Sequence, residues 1–598
     1  MTSSSRYCNR NQQRRSFLLS RLVTVVVIAT NILRLRAFAS LGKKVANRAM
    51  VSSSSCSSSS AAASPSSTCL SNSNPLLESW TAQPFSLPPF EKIEVDHFSP
   101  ALEVGMEEHL KDLSGIVNNN DPPTFDNVIV AYDRSGSIFD KVAGVFGNMC
   151  SSQNTPELQK IQTDMTPILS RHSSATYTLP GLFEKIQHVF EDDAQEGLSD
   201  EDRRLIERIH LDFTRAGAHF TEDKQKENAD IQAKLASLTT EFSQNVMKDE
   251  ESYELVLKRD DLSGCPDSLI EAAKNAAEER SKEDDEYVIT LSRSLVEPFL
   301  TFSDRRDLRK IAFEAWTTRG EMNPDRDNLK IATDILKLRQ KQARLHGYKN
   351  FAEYQLVDRM AKKPEKVIEL LENVWQKAKV SANQEREALE EFVKQSNDGK
   401  DDADTQDIIE NNLQAWDWRY YAEKVRIAKY DFDESLLKPY LSLDSVTNAV
   451  MAVSNKLFGL KYILRDDITS YHESVKTYEV RDERNNDKLV ALFIHDNYAR
   501  PYKSGGAWMS EYRSQTKNIS DKAKEEYQGI PIVSNNNNFA KGRNTLLSFD
   551  DATTLFHEMV SFECMLCVKK RIFSSFCKQS ILPHGFNALL FLIFSYPQ

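Results

Sequence analysis

Apolar side chains recur at three- and four-residue steps over long stretches of this chain, and that period fits one local structure, the amphipathic helix. Ile231, Leu235, Leu238, Phe242 and Val246 fall on one helical face, as do Ile331, Ile335, Leu338 and Leu345. Val367, Leu370, Leu371 and Val374 follow Pro364, a residue suited to a helix's first turn. These stripes read as core-facing. Glycine and proline number only 19 and 20 in 598 residues, which speaks against turn-rich β-sandwiches and low-complexity chains. The length exceeds what one hydrophobic core organises, so several lobes are expected. One strand signal stands out: Thr477–Val480 and Leu489–Ile494 flank Asn485-Asn486-Asp487, the pattern of a hairpin. The strongly charged run 254–300 reads as solvated helices around a loop at Ser263-Gly264-Cys265-Pro266. No repeat of fixed period is found, which disfavours a solenoid.

Charge is distributed unevenly. Residues 1–77 hold ten of the 76 Arg and Lys and none of the 88 Asp and Glu, so everything downstream is strongly acidic and a poor partner for nucleic acid. Arg6, Arg10, Arg14 and Arg15 precede an apolar run from Leu22 to Leu33 and the small-residue site Ala37-Phe38-Ala39. An acid-free, Ser/Ala-rich stretch follows to Asn74. The arrangement reads as a removable presequence, signal-like over 1–39 and transit-like over 40–74, similar to the bipartite plastid presequences of algae with secondary plastids. A plastid is therefore the expected destination, with the mitochondrion next. A single mitochondrial or plastid transit peptide is the next reading and a membrane anchor the remaining alternative; the apolar run is short for a membrane span, so no membrane contact is expected of the mature form. Eight Cys in so long a chain do not form a disulfide framework, which fits a reducing compartment.

The most informative heptapeptide is Thr553-Thr554-Leu555-Phe556-His557-Glu558-Met559. A helical zinc peptidase site sets two His at i and i+4 on one face, and the Glu after the first His takes a proton from metal-bound water. Here the i+4 position is Ser561. Taken alone, a His-Glu dipeptide is most often an ordinary surface or core-edge pair.

The surroundings resemble the thimet oligopeptidase family of zinc metallopeptidases, most closely its oligopeptidase A branch with the organellar forms. The resemblance is carried by Asn74-Pro75-Leu76-Leu77 with Phe85-Ser86-Leu87-Pro88-Pro89-Phe90, by Trp416-Asp417-Trp418-Arg419-Tyr420-Tyr421, and by Asp496-Asn497-Tyr498-Ala499-Arg500 leading to Lys503-Ser504-Gly505-Gly506-Ala507-Trp508-Met509. Asp550 to Glu558 completes it. It implies a mainly α-helical, clam-like zincin peptidase with a deep channel, a small β-hairpin or sheet beside the zinc helix, one Zn²⁺ per chain, short oligopeptide substrates such as cleaved presequences, and a monomeric state. His557 carries over as a zinc ligand and Glu558 as general base. The strand Leu489–Ile494, with Leu492, Phe493 and Ile494, corresponds to the edge strand that pairs with substrate backbone. Gly505 and Gly506 would let the backbone approach the cleft closely; a simple turn pair is the alternative.

After Met559 the family pattern stops. Gly-His, a later ligating Glu and the Tyr and His residues that steady the oxyanion do not appear, and residues 560–598 hold one acid, Glu563, with six Phe and three Cys. Val560-Ser561 can be encoded by GTAAGT, the start of an intron, so 560–598 is expected to be a translated retained intron or a gene-model error. A substitute site drawn from His557, Cys564, Cys567, Cys577 and His584 matches no zinc spacing. The expected organisation is a presequence over 1–77, an N-terminal helical region over 78–297, an incomplete peptidase region over 298–559 and an aberrant tail over 560–598. The expected function is a zinc metalloendopeptidase for short peptides whose zinc binding here is weak or absent and whose activity is lost. The competing readings are a catalytically dead peptide-binding or scaffolding fragment and a helical interaction platform unrelated to proteolysis; the second leaves strand, glycine loop and His-Glu helix unexplained as a set.

Overall fold

The computed structural model describes residues 74–191, 197–396, 403–430, 436–516, 518, 529–542 and 544–567. Residues 1–73 of the expected presequence, Cys577, His584 and the apolar run Ala588–Phe594 lie outside the described residues; the last four residues of that presequence, 74–77, are described, and Leu76 is fully buried in the N-terminal core.

Long helices dominate. The N-terminal region contains α1 (Phe98–Asn118), α2 (Ser137–Ser152), α3 (Pro156–Tyr177), α4 (Leu182–Glu191), α5 (Asp200–Ala216) and the 31-residue α6 (Glu222–Ser252). Local chemistry sets several ends. The Thr155 hydroxyl caps α3 before Pro156, Ser199 and Asp202 form a capping box on α5, and Gly217 at φ 88° closes α5 in the left-handed conformation that glycine adopts without strain. The stripe Ile231 to Val246 lies on α6 and packs against α3 and α10 (Asn328–Leu345), whose Ile331 and Ile335 are buried, as their spacing implies.

Residues 254–300 depart from expectation. Two short strands, β1 (Leu255–Lys258) and β2 (Glu286–Ile289), pair antiparallel, and α7 (Asp267–Glu278), α8 (Arg293–Phe302) and α9 (Arg306–Thr317) close a core around Leu257, Ala273, Val288 and Phe299. Four-residue strands are too short for a period to show in the sequence, and tertiary packing decides them.

Helix α11 (Pro364–Ser396) begins at its proline as expected, but its first half is not core. Leu370 and Trp375 are 64 % and 57 % exposed, whereas Leu389 and Val393, in the second half, pack with α12 (Ala403–Asn411) and α13 (Trp418–Tyr430). The stripe Val367 to Val374 thus has the period of a core face without, among the described residues, the neighbour that would bury it.

The chain then enters α14 (Leu443–Phe458) and a five-stranded mixed sheet of β3 (Leu460–Leu464), β4 (Lys476–Asp482), β5 (Lys488–Tyr498), β6 (Trp508–Arg513) and β7 (Ile532–Phe539), in the order β3-β4-β5-β7-β6. The anticipated hairpin is β4–β5, paired antiparallel with Val480 opposite Ala491; its turn carries Asn486 and Asp487 at positive φ. Strand β5 is the sheet's middle. Leu492 and Ile494 face α1, α2 and α3, while Ala491 and Phe493 face α14 and the last helix, α15 (Phe549–Cys567). Burial on both faces explains why this strand reads as a continuous apolar run and does not alternate.

Candidate peptidase site

Helix α15 starts in a capping arrangement: the Asp551 carboxylate accepts from the Ser548 amide at 3.1 Å and its hydroxyl at 2.8 Å, and Ser548 Oγ accepts from the Asp551 amide at 3.0 Å. From there Ala552, Leu555, Met559 and Phe562 recur at helical spacing and seat the helix on Val480, Phe493 and Val533 of the sheet. Phe562 is fully buried, with its ring centroid 4.7 Å from that of Phe493. The helix runs without interruption through Met559 to Cys567, past the point where the family pattern stops. On this frame His557 is half-buried and Glu558 is 3 % exposed. Ser561 Oγ donates to the His557 carbonyl at 3.2 Å, a back-bond within the helix, so the i+4 position carries a hydroxyl turned onto the backbone where a second imidazole would stand.

The donor set does not fit a catalytic zinc ion. Three protein ligands are the norm for such sites, and no group of three His, Cys, Asp or Glu suited to a metal occurs among the described residues.

The strand Leu489–Ile494 requires correction. It is not an edge: β5 pairs with β4 on one side and, in parallel register, with β7 on the other, and Leu492, Phe493 and Ile494 are fully buried. Their backbone is committed to the ladder, so these three residues do not hold a peptide. Among the described residues the sheet's edge on this side is β6, which directly follows the glycine loop and pairs with β7 alone of the described strands. Helix α2 lies along the far half of that edge. Asn148 Nδ2 donates to the Glu511 carbonyl at 2.8 Å, and a Cβ on Gly144 would meet the Tyr512 carbonyl at 2.8 Å, so glycine is what permits the approach.

The glycine loop is tightly held. Asn538 Nδ2 donates to the carbonyls of Ser504 and Gly506 at 2.9 and 2.6 Å. Gly506 sits at φ 87°, which favours glycine, and a Cβ on Gly505 would lie 3.4 Å from both Glu250 carboxylate oxygens. Glu250 pairs with Arg319, while burial raises its pKa. Met509 and Phe556 join the same apolar cluster, linking this edge to the His557 helix.

The Asp496–Lys503 segment builds a polar network on the α2 side of the sheet, where Arg500 also donates to the Ser152 carbonyl at 2.8 Å. Asp496 is fully buried and accepts from Arg500 at 2.7 Å on each oxygen, from Lys503 at 2.8 Å and from the Tyr471 hydroxyl at 2.7 Å. Burial tends to raise the Asp496 pKa, but the hydrogen bond from Arg500 and the charge of Lys503 hold it below the ordinary carboxylate value. The signal was present in the sequence: a charged residue following an apolar strand run must be paired if that strand is interior. The Trp416–Tyr421 segment is likewise structural. Asp417, fully buried, accepts from Arg306 at 2.9 and 3.0 Å and from Arg309 at 3.1 Å, joining α13 to α9.

Comparison with known proteins identifies the family. Residues 299–559 match the family model described as Peptidase family M3. The dipeptidyl carboxypeptidase of Escherichia coli K12 is 32 % identical over 487 residues, covering 81 % of this chain and 69 % of that protein. Oligopeptidase A of Salmonella typhimurium is 28 % identical over 490 residues, covering 81 % and 69 %. The chloroplastic/mitochondrial organellar oligopeptidase A of Arabidopsis thaliana is 28 % identical over 499 residues, covering 81 % and 60 %.

Proposed function

Because the chain belongs to peptidase family M3, we propose that it is built to take short oligopeptides along the Gly505–Gly506 loop and the start of β6, with His557 the zinc ligand and Glu558 the general base of the family's chemistry. We further propose that the ligand set written here is too small for turnover. Ser561 is the observation that carries this reading: it stands one helical turn after His557 and offers a hydroxyl already bonded to the backbone at the position where the family's zinc helix sets a second imidazole. Weak zinc binding and negligible hydrolysis follow. The same observation favours a second reading, a peptide-binding or scaffolding protein without metal.

The full chain, incubated with a quenched short peptide and excess Zn²⁺, is expected to show no chelator-sensitive turnover; its appearance would overturn the proposed inactivity. Binding of the peptide without cleavage would favour the second reading. Cleavage within a peptide against release of C-terminal dipeptides would separate the endopeptidase mode from that named for the dipeptidyl carboxypeptidase relatives. The proposed setting is an organelle, the plastid before the mitochondrion, and the proposed state a monomer. Residues 1–77 fused to a fluorescent reporter should direct it there, and a reporter left in the cytosol would remove the organellar reading.

A further inference from the structure

The node around Asp496 carries more positive charge than its stability requires. One buried carboxylate faces two cations, Arg500 bonded to both its oxygens and Lys503 at 2.8 Å, with the Asp496 and Lys503 side chains both 0 % exposed. Asp496 and Arg500 alone would form a neutral, two-pronged pair. Adding a buried ammonium costs free energy, and burial pulls the Lys503 pKa down to about 8. Neutralising the acid is therefore not what Lys503 is for.

Its remaining bonds show what it does. Lys503 Nζ donates to three main-chain carbonyls on two neighbouring strands: Asp496 at 3.1 Å and Tyr498 at 2.9 Å on β5, and Asn537 at 2.5 Å on β7. The β5–β7 register slips between Asp496 and Tyr498. Such a bulge releases carbonyls from the ladder, and the ammonium takes them up. The next residue, Ser504, donates its amide to the Ser151 carbonyl of α2 at 2.8 Å, and Gly505 and Gly506 follow, held on their other side by Asn538.

We propose that Lys503, anchored by Asp496, is a positioning residue that sets the path of the Gly505–Gly506 loop and the first residues of β6, so that this edge is already shaped for an extended peptide. The inference rests on the reading that peptides lie along this edge. Its physical content is preorganisation: a loop ordered before binding does not lose that freedom when the peptide arrives.

Lys503→Met tests it, because Asp496 stays paired with Arg500 and no lone charge is buried. Lys503→Gln, which keeps an N–H donor, is the second variant. In the full chain without added metal, three quantities are compared: the thermal midpoint, amide exchange over residues 504–510, and the affinity for a fluorescein-labelled peptide of about eight Ala, Gly and Phe residues. For Lys503→Met, exchange over 504–510 should quicken about tenfold and peptide affinity should fall about tenfold, while the carbonyls that lose the ammonium lower the midpoint by several degrees without collapsing it. Lys503→Gln should be intermediate in both. Unchanged exchange over 504–510, or unchanged affinity with a collapsed midpoint, would overturn the proposal. If the wild-type chain binds no peptide, the peptide-edge reading fails, while the exchange comparison still decides whether Lys503 orders the loop.

Discussion

At the scale of single residues, Ser561 and the buried histidines make the sharpest claims. Ser561→His would place two imidazoles one turn apart on the same face of α15, and each added ligand raises affinity by a large factor. Zinc affinity, read by competition with a chromogenic chelator, is expected to rise by at least about tenfold; no change would mean that His557 does not face a usable site. His172 and His495 are 7 % and 4 % exposed, and burial lowers the pKa of each to about 3, with the neighbouring His109 adding to the effect at His172. The unfolded chain protonates these rings near about pH 6.5, before the folded protein does. Their contribution is therefore intact above that pH and is lost as pH falls toward about 3, at about 1.4 kcal/mol per pH unit for each ring. Urea unfolding should show lower stability at about pH 5 than at about pH 7.5, and His172→Gln should flatten the dependence. A slope unchanged by that substitution would remove His172 from the account.

At the scale of elements, what holds the pieces together is a small set of buried charges within apolar seams. The α9–α13 joint depends on Asp417, which serves two arginines with Arg306 reaching on to Asp407 at 2.5 Å. Removing one member of a buried pair leaves the other charge uncompensated, so Asp417→Ala should destabilise by about 3–5 kcal/mol in a denaturant titration. A loss below about 1 kcal/mol, the size expected of a surface pair, would show that solvent reaches the joint. This element was legible as a motif but not as a joint. The tryptophans and paired tyrosines of residues 416–421 carry the family resemblance, whereas Arg306 and Arg309, more than 100 positions away, complete the cluster. The edge strand was misplaced for a related reason. An apolar run tells that a strand is buried on both faces, but only the pairing of β7 beside β5 in parallel register tells that it is interior.

At the scale of the whole molecule, apolar burial is uneven. Among the described residues, most large apolar side chains left exposed fall after residue 300, including Leu336, Met360, Leu370, Trp375 and Val380. Each such side chain forgoes about 1.5–3 kcal/mol that burial would have supplied. Limited proteolysis of the full chain is accordingly expected to cut the C-terminal half first and to leave a helical N-terminal fragment containing α1 to α6. Uniform resistance across both halves would show that the exposed face of α11 is covered in solution. The sequence by itself determined the helical class, the start of α11 at Pro364, the β4–β5 hairpin, the His557-Glu558 helix and the family, because period, turn chemistry and short motifs act between residues close in the chain. Only the tertiary structure decided that β5 lies mid-sheet, that among the described residues β6 forms the edge beside the glycine loop and the α11 stripe lacks a neighbour, and that Lys503 is buried against Asp496. Those outcomes depend on which distant segments meet, and the free energy of burying and pairing groups is settled by that meeting, which local sequence does not encode.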